Sequence, residues 1–303
     1  KDLKTPYETV HSGLFASVAN WAAKKVFLEG RENTRRAWKP AFLVPLKRDS
    51  QLEGSFRLLR ALAYPQGTIH AVGFAEEGKE SRLRNMLPLI KDMQKEGIFS
   101  STSTIEPASY ESGLKAVVSV MKGSFFRPNI IFESIHGRTE EELQCVVDTA
   151  SSNGMAVVFV GTHPEAAFGR ERSINLWVRD QSPDWTLGLK LANLDCAVLL
   201  SHQLKRNWGA SIRLLSAIRN EADVPAASEY LQQLMDLARM SSNIEVRAEA
   251  GPFYDVLART PRADINIFGL SKQVNKALLE KLLEESGSSC LFILDSGNES
   301  ALA

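Results

Sequence analysis

MAVVFVGTHPEAAFGRERSINLWVRD, residues 155–180, decides the fold. Its first seven residues are a short apolar run ending in glycine, the pattern of a strand buried on both faces. Its last eight, SINLWVRD, begin another such run. Between them GTHPEAAFGRER (161–172) offers glycine, proline and charge, the composition of a joint. The chain is divided there into two halves.

Working upstream, strand-like runs fall at 41–46, 68–75, 101–108, 129–135 and 155–161, with helical stretches at 51–64, 79–96, 109–122 and 138–153. Downstream, strands are expected at 173–180, 211–218, 243–250, 264–270 and 289–296. CAVLLS (196–201) passes for a strand, but Leu187, Leu191, Leu194 and Val198 follow helical spacing, which assigns 184–206 to one helix. Each half then reads β-α-β-α-β-α-β-α-β, the order of a doubly wound parallel sheet with crossover helices. The last strands begin at 155 and 289 and the fourth at 129 and 264, a shared offset of roughly 134 residues that argues for duplication. The expected division is 1–38 for a linking helix and entry, 39–161 for the first α/β subdomain, 162–172 for the joint and 173–303 for the second.

Before the first strand, Tyr7, Val10, Leu14, Val18, Trp21 and Leu28 form one apolar helical stripe, with Gly30 as its stop. No crossover requires this helix. It either packs on the sheet or serves as a linker or dimer helix, with Tyr7, Val10, Leu14 and Trp21 as contacts.

Lys plus Arg and Asp plus Glu both count 36, so the net charge is zero and nucleic acid is not expected as a partner. No apolar run reaches the roughly 18 residues of a membrane span. The chain begins at Lys1, as a fragment of a larger protein would. Cys145, Cys196 and Cys290 are widely spaced in apolar surroundings and read as buried, reduced thiols.

Chemistry is hard to find. No GxGxxG or GxxxxGK[ST] occurs at a strand–helix turn, and GxSxG is absent. His11, His70, His136, His163 and His202 lack HExxH spacing and read as surface or turn residues; His163 with Glu165 is a weak metal hint. No cofactor and no metal site is expected. Lys47, Arg48 and Ser50 follow the first strand, where an anion could sit. The preferred reading is solvated charge with Asp49 or Ser50 as N-cap, because Leu52, Glu53 and Gly54 make no glycine nest. The β-α pattern is similar to the universal stress proteins, which bind ATP through a glycine-rich turn after the fourth strand. Here that turn has Gly137 alone, followed by Glu140, Glu141 and Glu142, and its counterpart has Gly269 alone. Tight nucleotide binding is therefore not expected.

AWKPAFLV, with Trp38, Lys39 and Pro40, resembles the Asn-Trp-Arg-Pro-x-x-Leu-Val segment that opens the cytosolic C-terminal domain of cation–chloride cotransporters. GLKAVVSVMKGSFFRPNIIFESI (113–135), INLWVRD (174–180) and AVLLSHQLKRNWGASIRLL (197–215) resemble further segments in the family's order. Ala37 and Lys39 replace the usual Asn and Arg, Val178 a second Trp, and QSPDW an Asp-Gly-Gly turn. The long insertions of the animal proteins have no counterpart, which implies a compact prokaryotic member without their kinase regulation. The resemblance implies two universal-stress-protein-like subdomains, a helix joining them to a membrane part, and homodimerisation. It also implies a non-enzymatic role in regulating electroneutral symport of chloride with potassium or sodium, in the cytosol. The competing expectation is a soluble nucleotide-binding stress protein on the same fold.

Overall fold

The structure is a computed structural model that describes residues 17, 18, 20, 21, 38–75, 85–124, 126–186, 188, 191, 193–240 and 244–302. Residues 17, 18, 20 and 21 are helical; Tyr7, Val10, Leu14, Leu28 and Gly30 lie outside the described residues.

The first half runs β1 (Ala41–Leu46), α1 (Asp49–Ala63), β2 (Thr68–Phe74), α2 (Met86–Lys95), β3 (Phe99–Ile105), α3 (Tyr110–Met121), β4 (Ile130–Ser134), α4 (Glu140–Ser152) and β5 (Ala156–Gly161). The second runs β6 (Ser173–Trp177), α5 (Asp195–Trp208), β7 (Ser211–Ile218), α6 (Val224–Leu237), β8 (Ile244–Ala250), α7 (Phe253–Arg259), β9 (Ile265–Gly269), α8 (Lys276–Ser286) and β10 (Ser289–Leu294). The expected strand–helix alternation is present in both.

The two halves do not form separate sheets. They share one ten-stranded sheet in the order β3-β2-β1-β4-β5-β10-β9-β6-β7-β8. Within each half all pairs are parallel, but β5 and β10 meet antiparallel, with Phe159 opposite Phe292. The expectation of purely parallel sheets is corrected there. Read inward from either outer edge the strand order is the same, third, second, first, fourth and fifth of each half, so two like half-sheets meet there edge to edge and head to tail. Every residue of β5 and β10 is buried, and successive side chains enter opposite faces. Val158, Val160, Leu291 and Ile293 join a core under α1, α2, α5 and α6. Val157, Phe159 and Phe292 join a core under α3, α4, α7 and α8. At about 1.5–3 kcal/mol per buried large apolar side chain, this junction makes the halves one folding unit.

Polar contacts reinforce it. Asn207 Nδ2 of α5 donates to Ala61 O (2.6 Å) and Tyr64 O (2.8 Å) at the end of α1. On the other face the Gln144 carboxamide donates to Lys272 O (3.0 Å) and accepts from Val274 N (2.8 Å). The joint is held by Asp264, whose carboxylate accepts from the backbone of Arg170 (2.9 Å), Arg172 (2.8 Å) and Ser173 (2.9 Å) and from Ser173 Oγ (2.9 Å). Gly169 has φ +54, and a Cβ there would collide with the same carboxylate.

Some boundaries differ from expectation. The helix read over 184–206 starts only at Asp195 and runs to Trp208; residues 182–186 are turn and coil. Asn193 adopts φ 55, a left-handed conformation that no helix continues through. Leu191 and Leu194 are nonetheless buried, and burial is what the apolar spacing had registered. The third strand starts at Phe99, pairing with Thr68, and ends before Pro107. Of the helix expected over 79–96, Met86–Lys95 is helical and 76–84 lie outside the described residues. His70 is no surface histidine: it is buried in β2 with its Nδ1 2.7 Å from Ser101 Oγ. Cys196 and Cys290 are buried thiols, whereas Cys145 is half-exposed. Burial pushes the Cys290 thiol up to about 12.

Candidate functional site

Trp38, Lys39 and Pro40 lie together at the entrance to β1. Trp38 packs half-buried against the core, Lys39 is exposed and Pro40 is buried. Their conformation is set from the residue before β4: Asn129 Nδ2 donates to Lys39 O (2.8 Å), and Ala41 N donates to Asn129 Oδ1 (2.8 Å). Thr68 N donates to Pro40 O at 3.0 Å. A Cβ on Gly67 would come within 2.7 Å of Pro40 O and of Ala63 O, so only glycine allows this approach. The motif is an anchored doorway with no groups arranged for chemistry.

In doubly wound sheets ligands bind beyond the strands' carboxyl ends, where the strand order reverses. Here those points lie between β1 and β4 and between β6 and β9. At the first, the β1–α1 turn would present free N–H groups to a phosphate, but Gln51 Oε1 already accepts from Lys47 N (2.9 Å) and Arg48 N (3.2 Å). Neither Asp49 nor Ser50 is the N-cap; Arg48 is, and the Gln51 carboxamide satisfies the turn. Lys47 is paired with Glu142. Thr139 caps α4, accepting from Glu142 N at 3.2 Å, and Glu140, Glu141 and Glu142 fill its first turn. Three carboxylates there suit the helix dipole and repel a phosphate.

Beneath this turn the crevice is filled from within. Arg138 points into the fold, bonded to Glu133 Oε2 at 2.8 Å and to Pro45 O at 3.2 Å, with the Arg138 and Glu133 side chains essentially buried. Tyr110 OH donates to the same Glu133 oxygen at 2.7 Å, and its ring centroid lies 4.1 Å from the guanidinium carbon. Arg138 Nε and Nη1 have no hydrogen-bond partner among the described residues; the ring face offsets part of that deficit. Burial raises Glu133 above the ordinary carboxylate range against the pull of Arg138, and burial followed by the Glu133 charge raises Tyr110 well above its usual value.

At the second switch point the N-terminus of α5 is taken by Asp295, which follows β10. Its carboxylate accepts from Asp195 N (2.8 Å) and Cys196 N (3.1 Å). Asp295 N donates to Asn193 Oδ1 (2.8 Å), and Asn193 Nδ2 donates to Leu270 O (2.9 Å). Asp195 in turn accepts from Leu191 N (2.9 Å) and from Ala301 N (2.7 Å) of the tail. A ligand's anion would sit where the protein has placed its own carboxyl group.

The family described as prokaryotic cation-chloride cotransporter, C-terminal domain, matches with its first part over residues 44–168 and its second over 169–302. The crystal structure of the cytoplasmic domain of a prokaryotic cation chloride cotransporter is 34% identical, with a TM-score of 0.79, covering 88% of this chain and 99% of that one. The chain belongs to the prokaryotic cation–chloride cotransporter family. It is the cytoplasmic, non-enzymatic regulatory domain of such a transporter. Two universal stress proteins share the fold alone: one from Archaeoglobus fulgidus (13% identical, TM-score 0.53, covering 83% of this chain and 95% of that one) and a putative one from Pseudomonas aeruginosa (14%, 0.54, 84% and 92%). No curated protein sequence matches.

In the cotransporter domain, Trp38, Lys39 and Pro40 lead into β1, and Trp21 is exposed on its helix. Gln51, Arg138 and Asp295 were missed from the sequence: Arg138 and Asp295 act on groups about a hundred residues away, whereas Gln51 closes its own turn, at the third helical position where a glutamine is a local capping signal. No group of three metal-ligating side chains is gathered among the described residues, and no helix among them is long and apolar enough to cross a membrane. An open groove of about 440 Å³ lies outside both crevices, against α3 and α4, lined by Glu111, Glu141, Cys145 and Asp148 among others.

Asp295 is expected to make stability depend on pH. Burial, against the two backbone donors, pushes its carboxyl up to about 7. The folded state therefore holds this proton more tightly than the unfolded chain, and stability falls as pH rises from the ordinary carboxylate range towards 7. Asp295→Asn is expected to flatten that fall, by ~2–4 kcal/mol between pH 4 and 8, in urea unfolding series across pH. An unchanged slope would assign the effect elsewhere.

Proposed function

We propose that this domain is a homodimeric assembly platform for the membrane part of its transporter, with no bound nucleotide. Residues 39–161 and 173–303 act as paired units around the joint at 162–172. The observation that carries this reading is that both ligand seats are filled by the protein's own side chains, Gln51 and Arg138 in one half and Asp295 in the other. What remains for the fold to do is present surfaces. The N-terminal helix is one of them: Val18 and Trp21, three residues apart, are 55% and 63% exposed on the described turn. Tyr7, Val10 and Leu14 continue that stripe in the sequence, and we assign Tyr7, Val10, Leu14 and Trp21 to contacts with a partner chain or the membrane part. Dimer geometry, passed through this helix, then biases the transporter between conformations.

Leu14→Asp with Trp21→Asp should lower the sedimentation mass towards monomer; an unchanged dimer would remove the helix from the interface. Calorimetry with ATP, ADP and AMP at millimolar concentration should be silent. Saturable binding would instead favour a nucleotide-binding stress-protein role.

A further inference from the structure

The sheet has two outer edges, and they differ. β8 is guarded by Glu245, Arg247 and Glu249, with Arg213 bonded to Glu245 (3.1 Å) and Arg259 to Glu249 (2.7 Å). Charges on an edge strand discourage pairing with another chain. β3, FSSTSTI, has no charge, no proline and seven residues of regular strand. Phe99 at its start is 47% exposed, packed at a tilt against Phe126 with centroids 4.1 Å apart. At its middle, Thr102 Oγ1 is buried without a hydrogen-bond partner among the described residues.

We propose that a second copy of this chain adds to β3, antiparallel, about a two-fold axis at Thr102. This rests on the homodimer reading above and gives it a face. Thr102 would lie opposite its own copy, at the centre of the pairing. Ser101 would face Ser103 of the second copy, and Ser100 its Thr104. Phe99 would face Ile105 at both ends, an aromatic–β-branched pair of the kind that stabilises antiparallel strands. The register is self-complementary throughout: apolar ends meet apolar ends, hydroxyls meet hydroxyls, and no like charges oppose. The molecule already joins its two halves in this mode, edge to edge and antiparallel at β5–β10.

The test uses the full chain. In a Cys145→Ser background, Thr102→Cys should oxidise to a covalent dimer on a non-reducing gel, because opposed residues of an antiparallel pair lie within disulfide reach. Val246→Cys on β8 should not. Ser103 is exposed, and Ser103→Lys should weaken dimerisation about tenfold in sedimentation dilution series while leaving the unfolding midpoint unchanged. A dimer that neither cross-links in the Thr102→Cys variant nor responds to Ser103→Lys overturns this face and leaves the homodimer reading standing. A monomeric wild-type chain overturns both. If the thiol introduced by Thr102→Cys is neither cross-linked nor labelled by a thiol reagent, another segment of the chain, such as residues 1–37, covers the edge and the proposed face is overturned.

Discussion

Arg138→Met is expected to cost about 3–5 kcal/mol of folding stability, read as a fall in the urea midpoint at unchanged slope. Methionine restores most of the side chain's volume but leaves Glu133 buried with only Tyr110 and Ser134 N as donors. An isolated carboxylate in that setting must be desolvated or protonated, and either way the folded state suffers. The pair itself is a different matter. Removing both charges in Glu133→Gln with Arg138→Met should recover most of the loss, because a buried ion pair stabilises little relative to an uncharged substitute. If the double variant is as unstable as the single one, the Arg138 contacts with Pro45 O and the Tyr110 ring, not its charge, hold the crevice shut. The same variants bear on ligand binding. A crevice emptied of its guanidinium that still ignores nucleotides would show that Gln51 and the three glutamates of α4 are sufficient to refuse them.

The second large effect is expected at the joint. Asp264→Ala removes the acceptor for three backbone N–H groups and one hydroxyl at once. At about 1–3 kcal/mol for each polar group left without a partner, discounted for those that water reaches, a loss of about 3 kcal/mol is expected. The sign with pH is opposite to that at Asp295. Although burial acts to raise it, the backbone donors of Arg172 and Arg170 hold the Asp264 carboxyl below its usual value. A carboxylate depressed in the folded state contributes stability that is present above its unfolded pKa and disappears as pH falls through the folded one. Asp264→Ala should therefore lose its deficit in strong acid, where wild type and variant unfold alike. A pH-independent deficit would assign the loss to packing around Gly169.

Much of this architecture was legible in the residues. The apolar runs, their alternation with helical periods and the roughly equal spacing of the two sets led to the right element order, because those signals are local. The fusion into one sheet was not legible: nothing in AVVFVG or SCLFIL says that these two strands are neighbours, and both read simply as buried. The helix assigned to 184–206 is real from Asp195 onward but was begun too early, because spacing reports burial, and Leu191 and Leu194 are buried without being helical. The filled crevices were half visible. The lack of a glycine cradle argued against phosphate, but the occupants are ordinary polar residues: Arg138 and Asp295 depend on segments far away in sequence, and Gln51 is a local cap that the choice of Asp49 or Ser50 overlooked. Trp38 and Pro40 were recognisable only as a signature. Their physical part, a doorway clamped by Asn129 and closed around Gly67, needed coordinates.

The antiparallel seam at β5–β10 also has a mechanical consequence. Because the strands of the second half run against those of the first, the amino end of β1 and the carboxyl end of β10 emerge on the same rim. Asn298 in the tail donates to Gly154 O, just before β5, at 3.2 Å. A tug on the chain at Trp38 thus runs along the axis of β1, whose six residues are registered against Thr68–Gly73 on one side and held by β4 on the other. Such a load strains the rungs of the ladder together, in shear, instead of peeling them one by one. The doorway is built to transmit displacement into the sheet without coming undone.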